Sequence, residues 1–164
     1  MSKHDNINKK IFPTWEALKE QVERWRNDGD KIVFTNGCFD LLHRGHIDYL
    51  SKAADLGNRL VIGLNTDSSI SRIKNPNRPI QDQTSRQVIL AALAFVDAVT
   101  LFDEPTPYEL IKVVAPDILV KGADYQVEQI VGYDVVTQRG GEVKTLDFIP
   151  GFSTSLIEKK IRES

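Results

Sequence analysis

The chain has 164 residues, 41% of them hydrophobic, enough apolar surface for one core of ordinary size. Lysine and arginine number 21 against 23 aspartates and glutamates, so a net charge of −2 leaves no global positive field for nucleic acid and makes any anion site local. A single cysteine, Cys38, excludes an internal disulfide, and no apolar run resembles a signal peptide or a membrane span, which points to the cytoplasm.

Met1 to Lys10 is polar and lysine-rich and reads as a frayed leader, so residues 1–12 are expected to be flexible and 13–164 to form one domain. Thr14 to Asp28 has helical spacing, with Thr14 as N-cap, Leu18, Val22 and Trp25 on one face, and Gly29 as the stop. Val33 and Phe34 begin a buried strand that ends at Asn36-Gly37, and a helix follows from Arg44 with Ile47, Leu50 and Ala54 at helical spacing. Arg59 to Asn65 forms the second strand. Ser68 to Gln83 is polar, carries Pro76, Pro79, Arg72, Lys74 and Arg78, and reads as a long mobile loop with a functional role. Arg86 to Phe95 is helical through Val88, Ile89, Ala92 and Leu93, and Ala98 to Phe102 is a third strand. A helix over Pro107 to Val114, a strand over Ile118 to Val120, a segment around Glu128 to Arg139, a strand over Glu142 to Leu146 and a helix over Ser153 to Arg162 complete the order. Apolar strands alternating with helices predict an α/β, Rossmann-like three-layer sandwich with a mainly parallel five-stranded sheet, which binds ligands at the carboxyl ends of its strands.

The stretch Lys31 to His46, KIVFTNGCFDLLHRGH, therefore lies at that edge and sets two histidines three residues apart where a helix begins. Free N–H groups and the helix dipole favour a polyphosphate there, and imidazolium donates hydrogen bonds to phosphoryl oxygen. Gly45, lacking a Cβ, permits close approach of a nucleotide to the backbone. Neither a P-loop nor a G-x-G-x-x-G turn is present. Zinc at His43 and His46 lacks an obvious third ligand, and Cys38 has no separate histidine to activate it. Asp40 serves either as a cap of its own turn or as a substrate contact. Lys74, Arg78 and Arg86 are either solvated charge or cations that neutralise phosphate. Lys121 to Tyr125, KGADY, follows a strand: Gly122 serves a tight turn or the site, and Asp124 a sugar hydroxyl or a metal. Ser153 N-caps the last helix, and with Thr154 and Ser155 it offers a second phosphate cradle.

At these residues the chain resembles the cytidylyltransferase-like nucleotidyltransferases, with His43-Arg44-Gly45-His46 as the H-x-G-H signature and Ser153-Thr154-Ser155 as the late hydroxyl motif. Within them, TNGCFDLLHRGH, GLNTD (Gly63 to Asp67), Arg78-Pro79, LVKGADY and RGGEV (Arg139 to Val143) are similar to bacterial D-glycero-β-D-manno-heptose 1-phosphate adenylyltransferases. Ala123, where a second glycine is frequent, and Ser155, where threonine is usual, depart from that pattern. The resemblance implies transfer of AMP from ATP to heptose 1-phosphate, giving ADP-heptose for lipopolysaccharide cores, with Mg2+ accompanying ATP, a homo-oligomer, and a separate heptose kinase upstream. It implies catalytic roles for His43, His46, Lys74 and Arg86. Nucleotide contacts are implied for Thr35, Asn36, Gly37, Phe39, Gly45, Gly122, Ser153, Thr154 and Ser155, and substrate contacts for Asp40, Asn65, Asp67, Asp124 and Tyr125, with Asp124 also placed to meet magnesium. A cytidylyltransferase acting on glycerol 3-phosphate or another alcohol phosphate is the alternative enzyme, and a non-catalytic nucleotide sensor the alternative class.

Overall fold

A computed structural model describes residues 1–164. Its elements run α1 (Lys3–Asn8), β1 (Ile11–Phe12), α2 (Trp15–Asn27), β2 (Ile32–Gly37), α3 (Arg44–Ala54), β3 (Arg59–Asn65), α4 (Asp67–Ile73), α5 (Gln83–Ala91), β4 (Ala98–Phe102), α6 (Tyr108–Val114), β5 (Ile118–Gly122), a 3-10 turn (Val127–Gln129), α7 (Tyr133–Gln138), β6 (Glu142–Leu146) and α8 (Thr154–Glu163). The strands form one sheet in the order β1-β4-β3-β2-β5-β6, and every neighbouring pair is parallel.

Alternation along the strands sends side chains to two cores. Phe34 and Val61 pack with Leu18, Val22 and Trp25 of α2 and Leu110, Ile111 and Val114 of α6. Val33, Ile62, Leu64 and Val99 meet Tyr49, Leu50 and Ala53 of α3 and Leu90 and Ala91 of α5 on the opposite face. A parallel sheet needs this double cover, because βαβ crossovers carry the helices over both faces. The chain builds outward from β2 to β3 and β4, then returns to the other side of β2 with β5 and β6. That reversal between β2 and β5 is the switch point at which open α/β sheets hold ligands. The two strands are laddered only at Val33–Ile118 and Phe34–Leu119, whereas β2 and β3 are matched over six positions. Beyond the short ladder the seam is bridged by the Thr35 hydroxyl, which donates to the Val120 carbonyl at 3.0 Å.

Three expectations need correction. The sheet has six strands, because the supposed leader contributes one: Ile11 and Phe12 pair with Val99 and Thr100 at the edge. Its preceding residues are helical rather than frayed, since Ser2 and Asp5 form a reciprocal capping box at the start of α1. The long loop shrinks to residues 74–82, because Thr66 N-caps α4 through the Ser69 N–H at 3.1 Å. Asp82 likewise caps α5, which starts three residues earlier than expected and ends at Ala91. On it Arg86, Gln87, Leu90 and Ala91 face inward while Val88 and Ile89 face solvent.

Candidate active site

At the carboxyl ends of β2 and β5 lies a pocket of about 300 Å³ lined by residues from five segments. Asn36 to Asp40 form its floor, His46 and Tyr49 of α3 one wall, Lys121 to Tyr125 another, with Phe148 and Thr154 closing it beside α8 and Lys74 at its rim. Phe39 holds the turn after β2 in the left-handed backbone region at φ 45°, which a bulky residue adopts only when its surroundings impose it. The ring accounts for this, buried to 7% exposure with its edge against His46 at 5.3 Å between centroids.

His43 and His46 stack with centroids 3.8 Å apart and planes at 24°. The His43 backbone N–H donates to His46 Nδ1 at 3.4 Å, which leaves Nε2 as the proton-bearing nitrogen of His46. Burial pushes the His46 imidazole down to about 4, with the neighbouring His43 and Lys74 charges acting in the same direction. Burial also lowers His43. Both shifts favour the neutral imidazole over the imidazolium expected from the sequence, and in that form the donor is an uncharged ring N–H. His43 itself is outside the pocket lining, and its Nδ1 is buried against Gly45 without a hydrogen-bond partner. Gly45 sits beneath: a Cβ there would lie 3.0 Å from the His43 ring and 3.2 Å from Phe152 Cβ. The α8 N-terminus meets the same region. Ser153 accepts the Leu156 N–H as N-cap, which leaves its O–H proton free to donate, whereas Thr154 lines the pocket with its O–H committed to the Leu41 carbonyl at 3.2 Å. Ser155 is exposed and outside the lining.

On the other wall Lys121 is largely buried, its Nζ 3.4 Å from Asn36 Oδ1 and 5.7 Å from the Tyr125 ring centre. Burial holds this ammonium below its ordinary value. At Gly122 a Cβ would fall 2.2 Å from Phe148 Cε2, so only glycine lets Phe148 lie over the pocket, stacked on Tyr49 at 5.3 Å. Lys121, Phe148 and Tyr49 were not among the expected site residues, although the KGADY motif already placed Lys121 at a strand end. Burial raises the Cys38 thiol, which keeps it protonated and agrees with a packing role.

Several expected site residues face elsewhere. Arg86 is completely buried: Nε donates to the Gln81 carbonyl, one terminal nitrogen to the Cys38 and Asn65 carbonyls at 2.8 Å each, the other to Asp67 at 2.7 Å. A guanidinium with these partners is an internal strut with no donor turned to the pocket. Asp67 is therefore its ion-pair partner, and Asn65 bonds Ser69 beneath the floor. Thr35, fully buried, bonds Tyr49 and Val120. Asp40 borders the pocket, but its carboxylate accepts the Ile80 and Gln81 N–H groups at 2.8 Å and pairs with Arg78 at 3.1 Å. Arg78 also pairs with Glu158 of α8, so one buried guanidinium ties the residue 74–82 loop, the β2 turn and the last helix together. The two open readings of Asp40 are resolved toward holding backbone, of the neighbouring loop.

Asp124 lines the pocket and, unlike Asp40, makes no hydrogen bond or ion pair within the chain. No group of three or more His, Cys, Asp or Glu is arranged to hold a metal. Magnesium on a nucleotide keeps most of its waters and takes one or two carboxylates besides phosphate, so the one uncommitted carboxylate fits that ion.

A nucleotide-binding α/β protein is the class that this switch-point pocket and its helix N-termini define. The chain belongs to the cytidylyltransferase-like family, whose model matches residues 34–160. It is 53% identical over 147 residues to the "Bifunctional protein HldE" of Magnetococcus marinus and 51% identical over 146 residues to that of Methylobacillus flagellatus. These matches take in 90% and 89% of this chain, which spans about 30% of either relative's length. Among solved structures it is similar to the lipopolysaccharide core biosynthesis protein of Thermoplasma volcanium, at TM-score 0.59 and 31% identity over 74% of this chain and 98% of that one. The pantoate-beta-alanine ligase of Francisella tularensis shares the fold, at TM-score 0.57 and 18% identity over 94% of this chain and 78% of that one. No helix is long and apolar enough to cross a membrane.

Proposed function

We propose that this chain transfers the adenylyl group of ATP to D-glycero-β-D-manno-heptose 1-phosphate, forming ADP-heptose and releasing pyrophosphate. The observation that carries the reading is His46, stacked on His43 at one helix N-terminus and lining the pocket beside a second N-terminus at Thr154. The names borne by the relatives, HldE and lipopolysaccharide core biosynthesis, support the sugar assignment.

In this reaction an oxygen of the sugar phosphate attacks the α-phosphorus in line; one P–O bond forms, the bond to the β-phosphate oxygen breaks, and its electron pair leaves on pyrophosphate. The nucleophile is already an anion, so the protein's task is positioning and charge stabilisation. His46 Nε2–H donates to the α- and β-phosphates with His43 stacked behind it, and the α8 N-terminus, through the backbone N–H groups of Thr154 and Ser155, receives the outer phosphates. Lys74 at the rim adds a cation to the departing pyrophosphate. Asp124 would hold the Mg2+ that accompanies ATP, which would supply neutralisation of phosphate charge. Phe148 and Gly122 offer the base a flat apolar seat. The upstream reaction is a phosphorylation at the anomeric carbon of a heptose.

A CTP-using enzyme is the second reading, favoured by the cytidylyltransferase-like description of the family. Pyrophosphate release measured for ATP and CTP, each with heptose 1-phosphate and glycerol 3-phosphate, separates them. Turnover with ATP and the heptose is expected; turnover only with CTP would overturn the assignment.

A further inference from the structure

The amino ends of the strands carry a cavity of their own. About 350 Å³ in size, it lies where β1, β3 and β4 begin, between the segment of Lys9, Lys10 and Phe12, Trp25 at the end of α2, and Arg59 and Asp97. The seven residues of β3 span about 20 Å between this edge and the pocket at the carboxyl ends. We propose that this cavity is a second anion site and takes a phosphate dianion or polyanion, either inorganic pyrophosphate or the phosphate of a nucleotide. It is independent of the adenylyl-transfer reading.

The balance of donors and acceptors selects the ligand. Arg59 commits Nε to Asp30 at 2.6 Å and Nη1 to Asp97 at 3.4 Å and lies over the Trp25 ring at 5.2 Å, which leaves Nη2 without a partner. Lys10 gives one ammonium N–H to the Leu93 carbonyl at 3.1 Å, and Lys9 meets only the Met1 thioether, at 3.4 Å. Against these donors stands one carboxylate, and Asp97 is already used twice, by Arg59 and by the Leu60 N–H at 2.8 Å. Lysines 9 and 10 with Arg59 therefore make a local positive site in a chain whose net charge is −2.

The indole of Trp25 adds a directional donor. Trp25 is only 9% exposed, yet its Nε1 makes no hydrogen bond within the chain. The one sealed-in polar side-chain atom without a partner is His43 Nδ1, so Trp25 Nε1 opens on space, and this cavity is the space that Trp25 lines. Two ammonium groups, a half-free guanidinium and a fixed N–H form a donor set suited to phosphate oxygens, with charge-assisted bonds. The site is also preformed, because the Lys10 carbonyl accepts the Val99 N–H at 2.8 Å and fixes the lysine segment against β4. Phe12 supplies an apolar wall for a base.

The chain has two tryptophans, so proton–nitrogen NMR shows two indole cross-peaks. Trp15 Nε1 already donates to the Leu101 carbonyl at 2.9 Å, and its peak serves as internal reference and as a report that each variant is folded. Pyrophosphate and, separately, AMP are titrated into wild type, Lys9→Gln/Lys10→Gln, His46→Ala, and Lys19→Gln as a lysine outside the cavity. Expected are a saturable shift of the Trp25 peak with Trp15 nearly still, an affinity about tenfold or more lower in Lys9→Gln/Lys10→Gln, and affinity within about twofold of wild type in Lys19→Gln and His46→Ala. Tighter binding of AMP assigns the site to nucleotides and tighter binding of pyrophosphate to the inorganic anion, and either supports it. No saturable Trp25 shift up to about 10 mM of either probe, or one undiminished in Lys9→Gln/Lys10→Gln, would overturn the site. A shift lost in His46→Ala would overturn it too, since the response would then be relayed from the main pocket.

Discussion

Replacing Arg86 by methionine keeps a long flexible stem and removes the guanidinium that joins the β2 turn, the end of β3 and the start of α5. Three backbone carbonyls, of Cys38, Asn65 and Gln81, lose their donor, and Asp67 loses its ion-pair partner. Hydrogen bonds from a charged donor contribute about 1.5–3 kcal/mol each, but deleting a buried cation also removes its desolvation cost. Asp67 has a side chain 40% exposed and can turn to water, so its loss adds little. The net expectation is a loss of about 3–5 kcal/mol, a large share of the roughly 5–15 kcal/mol that holds an ordinary domain together. Urea unfolding followed by far-ultraviolet circular dichroism reads this directly, as a midpoint lowered by about 1–3 M with little change in slope. A variant that unfolds within about 1 kcal/mol of wild type yet no longer binds ATP would refute the strut and return Arg86 to the phosphates.

Three further outcomes follow from the site. His46→Ala should keep the unfolding midpoint close to wild type and lower kcat by about 10²–10³, the cost of removing one preorganised donor; near-normal turnover would dismiss His46 from the reaction. Because His46 titrates near 4 in the fold and near 6.5 when unfolded, the unfolded chain binds more protons between those values. Stability therefore rises with pH from about 4 to 6.5 and levels off above, and His46→Gln should flatten that slope in unfolding free energies measured at pH 4.5, 5.5 and 7. Glu158→Gln removes one arm of the Arg78 bridge and is expected to raise the ATP KM by about three- to tenfold with little effect on kcat, since α8 is held less firmly over the pocket. A fall in kcat with KM unchanged would contradict that positioning role.

Two central strands were legible because their patterns are apolar on both faces: Arg59–Asn65 and Ala98–Phe102 fall where the hydrophobic runs place them, while the edge strand Glu142–Leu146 was marked by the Gly140-Gly141 stop before it. The histidine pair, Phe39 and Gly122 were legible as a motif at strand ends. What escaped was set by tertiary context. Ile11–Phe12 is too short to carry a period, and it becomes a strand only because β4 offers an unpaired edge. α4 is a polar helix whose signal lies in its Thr66 cap rather than in any apolar stripe. Arg86 illustrates the limit most clearly. A basic residue in a polar stretch gives no local sign that three carbonyls and a carboxylate await it in the interior, and burial of arginine is rare enough that solvent or phosphate is the natural first expectation.

The short ladder between β2 and β5 has a consequence for ligand discrimination. Because pairing stops at Phe34 and Leu119 while both strands run on to Gly37 and Gly122, main-chain donors and acceptors near the seam are left outside the sheet, at the mouth of the pocket. A base seated on Phe148 and Gly122 would lie beside these peptide groups, whose identity no side-chain replacement alters. Changing how they meet a ligand would demand altering the splay of two strands, through the Thr35 bridge or the packing beneath it, and amide protons at the seam would report occupancy through slowed exchange with solvent.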